Sequence, residues 1–250
     1  MQVIAEITHA CPCKCRFCTI RKNTSLMRLS DFEKALNLFQ EVGADKAVIS
    51  GGEPSIVSNL DHYVFLAKRM GYVVTVATNG YYPHRVLEAD PDAIQVSIDY
   101  YGEKHDHTRG VHGLFENAWK LVKTAHLREP APEVMIRTTL LGDNFKDILH
   151  IRKRLDQEGM EDVPILVMPI RGVGVKIDQQ LLVRLSQTEG ILIADSCPAG
   201  KESFVITPEM DVLACIFYRK KLGKLRNFDH KELQEILENG ESIPRFACET

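Results

Sequence analysis

"KAVISGGEPSIVSNLDHYVFLAKRMGYVVTVATNG" (residues 46–80) sets two short apolar runs, "KAVIS" (46–50) and "YVVTVAT" (72–78), on either side of an amphipathic run around "LDHYVFLAKRM" (60–70). A helix-length crossover between strands that are apolar throughout implies parallel pairing under helical cover. The same rhythm extends both ways. Upstream, "VIAEI" (3–7) reads as a strand and "LSDFEKALNLFQEVG" (29–43) as a helix, with Ser30 as N-cap, Glu33 closing a capping box and Gly43 as terminator. Downstream, "AIQVSID" (93–99), "EVMIRTTLL" (133–141) and "DVPILVMPI" (162–170) read as strands, with helices at 113–128 and 145–158.

These roughly six units predict an α/β fold, a partial (β/α)6 TIM-like barrel over residues 1–190. Beyond Gly190 the rhythm changes. "SFVITPEMDVLACIFY" (203–218) reads as two short strands around a turn at Pro208–Met210, and "DHKELQEILENG" (229–240) as a last helix. Residues 191–250 are thus expected to form a small C-terminal β-hairpin plus helix module.

The 250 residues are 44% hydrophobic and 26% charged, with a formal net charge of −3. This balance gives no electrostatic pull toward nucleic acid, and such a length needs no disulfide staples. No run approaches a membrane span and the first residues lack a signal peptide, so the chain is expected to be cytoplasmic, without membrane or nucleic-acid partners. Seven cysteines in a reducing compartment suit ligation or catalysis better than pairing.

Four of them lie in "THACPCKCRFCTI" (8–20), directly after the first strand, where a barrel keeps its chemistry. Cys11, Cys15 and Cys18 have the spacing CxxxCxxC. Three thiolates on one loop can hold three corners of a cubane iron–sulfur cluster and leave one iron open. A zinc knuckle or an electron-transfer cluster would use four closed ligands. "SGGEP" (50–54) ends the second strand, and "VSIDYYGEKHDHTRG" (96–110) holds an SxD strand end followed by HDxxRG.

In that order these motifs resemble the radical S-adenosylmethionine (radical SAM) superfamily. The resemblance implies a [4Fe–4S] cluster on Cys11, Cys15 and Cys18, with Phe17 as the aromatic residue before the last cysteine. Gly51, Gly52, Glu53 and Pro54 would contact the methionine amino group of SAM, the glycines allowing close backbone approach. Ser97 would face the ribose or carboxylate, and Arg109 the carboxylate, as suits a planar guanidinium. "ATNG" (77–80) and Asn144 would lie at the pocket rim. Cys13 would be a bystander that points away, because the cluster's fourth site belongs to SAM. A rival reading has all four cysteines bind.

Cys197, Cys215 and Cys248 resemble the ligands of the auxiliary-cluster module, SPASM or its shortened twitch form, with Met210 at that module's glycine position. A second, auxiliary [4Fe–4S] cluster is implied. The alternative is that they are small buried hydrophobes.

By the same resemblance, SAM is cleaved reductively to a 5′-deoxyadenosyl radical, which takes a hydrogen atom from a small-molecule or peptide substrate. That substrate would be a peptide or protein, or an intermediate of cofactor biosynthesis. With the first strand starting at once, leader-dependent peptide maturation is disfavoured. The end "RFACET" also lacks the paired glycines of molybdopterin-pathway relatives. The electron donor would be a flavodoxin or ferredoxin, and the basic run "YRKKLGKLR" (218–226) could meet it or an acidic substrate. His9 could tune the cluster, and Tyr100 and Tyr101 could line the pocket. A ferredoxin-like carrier and a non-catalytic SAM-binding member are the alternative functions.

Overall fold

The computed structural model of the chain describes residues 1–169, 178–194 and 197–241. Seven parallel strands follow one another in chain order: β1 (Gln2–Thr8), β2 (Lys46–Gly51), β3 (Val73–Thr78), β4 (Ala93–Ser97), β5 (Glu133–Leu140), β6 (Ile165–Pro169) and β7 (Ile191–Ile193). Between them run α1 (Leu29–Glu41), α2 (Leu60–Arg69), α3 (Pro83–Ala89), α4 (Glu103–Arg109), α5 (Leu114–His126), α6 (Phe145–Gln157) and α7 (Gln179–Ser186). On the other edge of β1, β8 (Ser203–Ile206) pairs in parallel, and β9 (Asp211–Leu213) and β10 (Lys221–Lys224) follow antiparallel. Helix α8 (His230–Glu241) comes last among the described elements.

Among the described residues all ten strands form one sheet in the order β10-β9-β8-β1-β2-β3-β4-β5-β6-β7, open between β7 and β10. It curls: Arg137 on β5 lies 6.0 Å from the ring of Phe217, which follows β9. The expected partial barrel with C-terminal hairpin and helix is therefore present, enlarged by a seventh parallel strand. That strand has three residues, too short to announce itself by period.

Burial alternates along β3, β4, β6 and most of β5, while β1, β2 and β8 carry continuous buried runs. Val3, Ala5 and Ile7, or Ile94 and Val96, are fully buried against the helices, where Phe32, Leu36, Phe39, Tyr63, Phe115 and Leu155 meet them. The opposite faces, with Ser50, Ala77, Gln95 and Ser97, are small or polar and line a cavity instead.

One boundary differs from expectation. Helix α1 starts at Leu29 with Arg28 at the N-cap and no side-chain cap, so Ser30 and Glu33 make no capping box. Its entry is fixed by the backbone: Met27 N donates to Ile7 O (2.7 Å) and Phe32 N to Arg28 O (2.9 Å). A strand-like tether to β1 replaces the side-chain cap.

Candidate active site

The ends of β1 and β2 interlock. Gly52 N donates to Thr8 O (2.6 Å) and Glu53 N to Ala10 O (2.9 Å). A Cβ on Gly51 would stand 2.3 Å from Thr8 O, and one on Gly52 2.2 Å from Ala10 O. The glycines are required by the chain's own backbone, a reason independent of any ligand. Glu53 is buried and meets three donors: Thr78 Oγ1 (2.6 Å) and Ser55 N (2.9 Å) on one oxygen, Asn79 N (2.7 Å) on the other. Burial raises its pKa against the pull of those donors.

The cysteine loop after β1 is tied to distant segments. Lys14 N donates to Arg109 O (2.7 Å), Thr19 Oγ1 to Ile216 O (2.8 Å), and Lys22 Nζ to Cys13 O. At its base the Arg219 guanidinium grips Glu6 (2.7 and 3.0 Å), and His9 Nε2 lies 3.0 Å from the same carboxylate. Burial raises the Glu6 pKa, but His9 and Arg219 bring it below the usual value. His9 is thus engaged with Glu6 and, at 3.6 Å, with Glu209.

One cavity of about 180 Å³ gathers Cys11, Cys15, Cys18, Phe17, Gly51, Gly52, Glu53, Ser97 and Arg109. Pro54 and Asn144 do not line it. Pro54 is buried in a short 3-10 turn (Pro54–Ile56). Asn144 braces the strand ends from behind, donating to Asp99 O and Thr139 O (2.8 Å each) and accepting from Leu141 N (2.9 Å). Tyr100 and Tyr101 are likewise outside the cavity: Tyr100 donates to Asp143 Oδ1 (2.6 Å), and Tyr101 packs on Phe115.

Cys13 corrects an expectation. It does not point away: it is 1% exposed, lines the cavity, and accepts from Asn79 Nδ2 (3.1 Å). Hydrogen bonding with the Cys11 and Cys15 sulfurs drives its own pKa up. That hydrogen bond lowers Cys11, and it brings Cys15 to about 6, where burial opposes it and Arg109 assists. Burial raises Cys18. Among the described residues no three His, Cys, Asp or Glu side chains are set to hold a single metal ion.

The HDxxRG run is scaffold in large part. Arg109 donates through Nε (3.0 Å) and Nη2 (2.7 Å) to Asp99 Oδ2, while Asp99 Oδ1 accepts from Thr139 N (2.9 Å). Burial pulls the Arg109 pKa down, but the Asp99 and Cys15 charges hold it above normal. His105 Nδ1 accepts from Asp99 N (3.2 Å), and burial drops its pKa to about 3, leaving a neutral ring. Asp106 receives Gly113 N (2.5 Å) and Phe115 N (2.8 Å) at the start of α5.

Among the lining residues that sequence reasoning passed over are Gln95, Arg137, Thr139 and Phe217. The signal for Arg137 was a cationic side chain in the middle of a β-branched strand, "EVMIRTTLL". Of the C-terminal cysteines, Cys215 accepts from Phe217 N (3.3 Å), Cys197 is half-buried, and Cys248 lies outside the described residues. Met210 adopts φ 65°, the left-handed conformation that glycine favours.

Residues 5–155 match the family profile described as the Radical SAM superfamily. The pre-heme d1 synthase of Dinoroseobacter shibae is 27% identical over 183 residues, covering 70% of this chain and 45% of that protein. The GTP 3′,8-cyclase of Shewanella denitrificans is 32% identical over 155 residues, covering 57% and 46%. This chain thus spans less than half the length of these curated relatives. In fold it resembles Streptococcus suis SuiB bound to precursor peptide SuiA, with TM-score 0.77 and 15% identity over 94% of this chain and 64% of that one. No helix among the described residues is long and apolar enough to cross a membrane.

Proposed function

Since this chain belongs to the radical SAM superfamily, we propose that it is a SAM-cleaving enzyme whose substrate is a peptide or protein, or an intermediate of cofactor biosynthesis. Membership implies SAM and a [4Fe–4S] cluster. The donor set suits them, since Cys11 and Cys15 are disposed toward thiolates and Cys18 shares their cavity. When bound, the pair supplies one-electron cleavage of the SAM sulfonium bond and with it a hydrogen-abstracting radical. Around it this chain's residues bind, orient and exclude water. Gly51 to Glu53 present backbone to the methionine end, Ser97 a hydroxyl, and Arg109 its remaining Nη1 to the carboxylate, while Phe17 and Phe217 exclude solvent.

The observation that carries this reading is the single cavity shared by the three spaced cysteines and the Gly51–Glu53 turn. Relatives named for heme d1 precursor and GTP chemistry support a cofactor-type substrate, and the peptide-bound fold neighbour supports a peptide. Residues 191–250 would be the twitch-like unit, with Cys197, Cys215 and Cys248 holding an auxiliary cluster. The left-handed Met210 favours that assignment. Reduction would come from a flavodoxin or ferredoxin. Buried Cys13, beside two of the ligand sulfurs, gives a specific reason to keep the saturated-cluster electron carrier as the second reading.

The test is anaerobic reconstitution followed by SAM and dithionite, reading 5′-deoxyadenosine and iron content. The enzyme reading expects product that survives Cys13→Ala and vanishes in Cys15→Ala. About eight irons per chain would support the auxiliary cluster, and about four would remove it. A reducible cluster that leaves SAM intact would establish the carrier.

A further inference from the structure

The lumen of the curled sheet holds a guanidinium with no hydrogen-bond or carboxylate partner among the described residues. On β5, Ile136, Thr138 and Leu140 are buried under the helices, so alternation turns Met135, Arg137 and Thr139 inward. Arg137 stands beside Ser97 in the β4–β5 register and lines the cavity with Gln95, Ser97 and Thr139. Among the described residues it has no hydrogen bond and no ion pair; its one ring contact is Phe217, at 6.0 Å across the lumen.

Three other buried charges near it are matched within the fold. Arg109 is forked onto Asp99, Glu6 onto Arg219, and Glu53 receives three donors. The uncharged neighbours, a glutamine and two hydroxyls, can all donate hydrogen bonds. An arginine stays cationic at neutral pH, and an interior cation without a counter-charge is costly unless a ligand supplies one. Among the described residues Arg137 has no carboxylate partner; the thiol of Cys215 is the one ionisable group whose charge bears on it, and the ligand cysteines of the lumen are committed to the cluster.

We propose that Arg137 is the anion-binding residue of the lumen, taking a carboxylate or phosphate of the molecule bound there. The anion comes either from the methionine end of SAM or from an acidic group on the molecule acted on. This deepens the radical SAM reading and rests on it for the nature of the ligands.

The test compares reconstituted wild type, Arg137→Gln and Arg137→Lys, after iron content and circular dichroism have shown equal loading and folding. Calorimetric titrations without reductant use SAM, its decarboxylated analogue, and inorganic phosphate added to the SAM-loaded protein. Loss of about tenfold to a hundredfold in SAM affinity in Arg137→Gln, eased in Arg137→Lys and absent for the decarboxylated analogue, supports the proposal with SAM as the source. Unchanged SAM affinity with wild-type phosphate binding lost in Arg137→Gln supports it with the second molecule as the source. If the substitution moves neither, Arg137 only packs on Phe217 and the proposal falls. A wild type that loads iron yet leaves SAM intact with dithionite would sink the enzyme reading instead, and the phosphate titration still decides Arg137.

Discussion

At the scale of single residues, two buried carboxylates decide much of the site's firmness. Glu53 holds three donors, one from its own turn and two from the end of β3, so Glu53→Ala strands a hydroxyl and two backbone N–H groups without water. That substitution is expected to cost on the order of 3 kcal/mol in urea denaturation, with Glu53→Gln costing less. A change below about 1 kcal/mol would show that the pocket wall stands without it. Glu6 offers a pH signature. His9 and Arg219 overcome its burial and keep its folded pKa below the usual value. The stability it lends is then complete above its unfolded pKa and is lost as pH falls through the lower folded one. Arg219→Ala should destabilise the protein by about 3 kcal/mol near neutrality and flatten the fall on the acid side of the ordinary carboxylate range. Parallel acid-unfolding profiles of the two proteins would refute this. Neither role was legible in the sequence, where Glu6 is one polar residue in "VIAEI" and its partner lies 213 positions away. Cys13 was misjudged for a related reason: spacing identifies which cysteines fit a pattern, but where a fourth thiol turns depends on Asn79, from a different strand end.

Among the elements, the junction of β1 and β2 is the tightest. Gly52→Ala would drive a methyl into Ala10 O, which is backbone and can yield only if the strand ends part. We expect a loss of about 3 kcal/mol or more together with reduced iron retention. Gly43→Ala, at φ 90° with nothing within 4 Å, should cost only about 1 kcal/mol and leave iron binding intact. Denaturation midpoints and iron counts on the two variants check the contrast, and equal penalties would defeat it. The longer strands and helices were readable because their periods are strong. β7, with three residues, was not, and neither was α4, seven residues whose polar side chains carry little apolar period. The start of α1 was displaced because a tether from Met27 to β1, invisible to local pattern, outweighed a plausible capping box.

On the scale of the whole molecule, β1 is central although it comes first in the chain. It pairs with β2 on one side and with β8, some 200 residues later, on the other. The order of motifs along the sequence made the cavity's cysteine and glycine walls legible. Its far wall, Arg137 with Phe217, exists only because the sheet curls, and no local signal reports curvature. The same layout bears on how the protein is made. At a synthesis rate of about 5–20 residues per second, roughly 10–40 s separate the emergence of the cysteine loop from that of its anchor at Ile216. During that interval the first strand leaves the ribosome with a bare flank, and its thiols hang on an untied segment. The anchor that fastens the cysteine loop thus becomes available only after the segment between β9 and β10 has been synthesised.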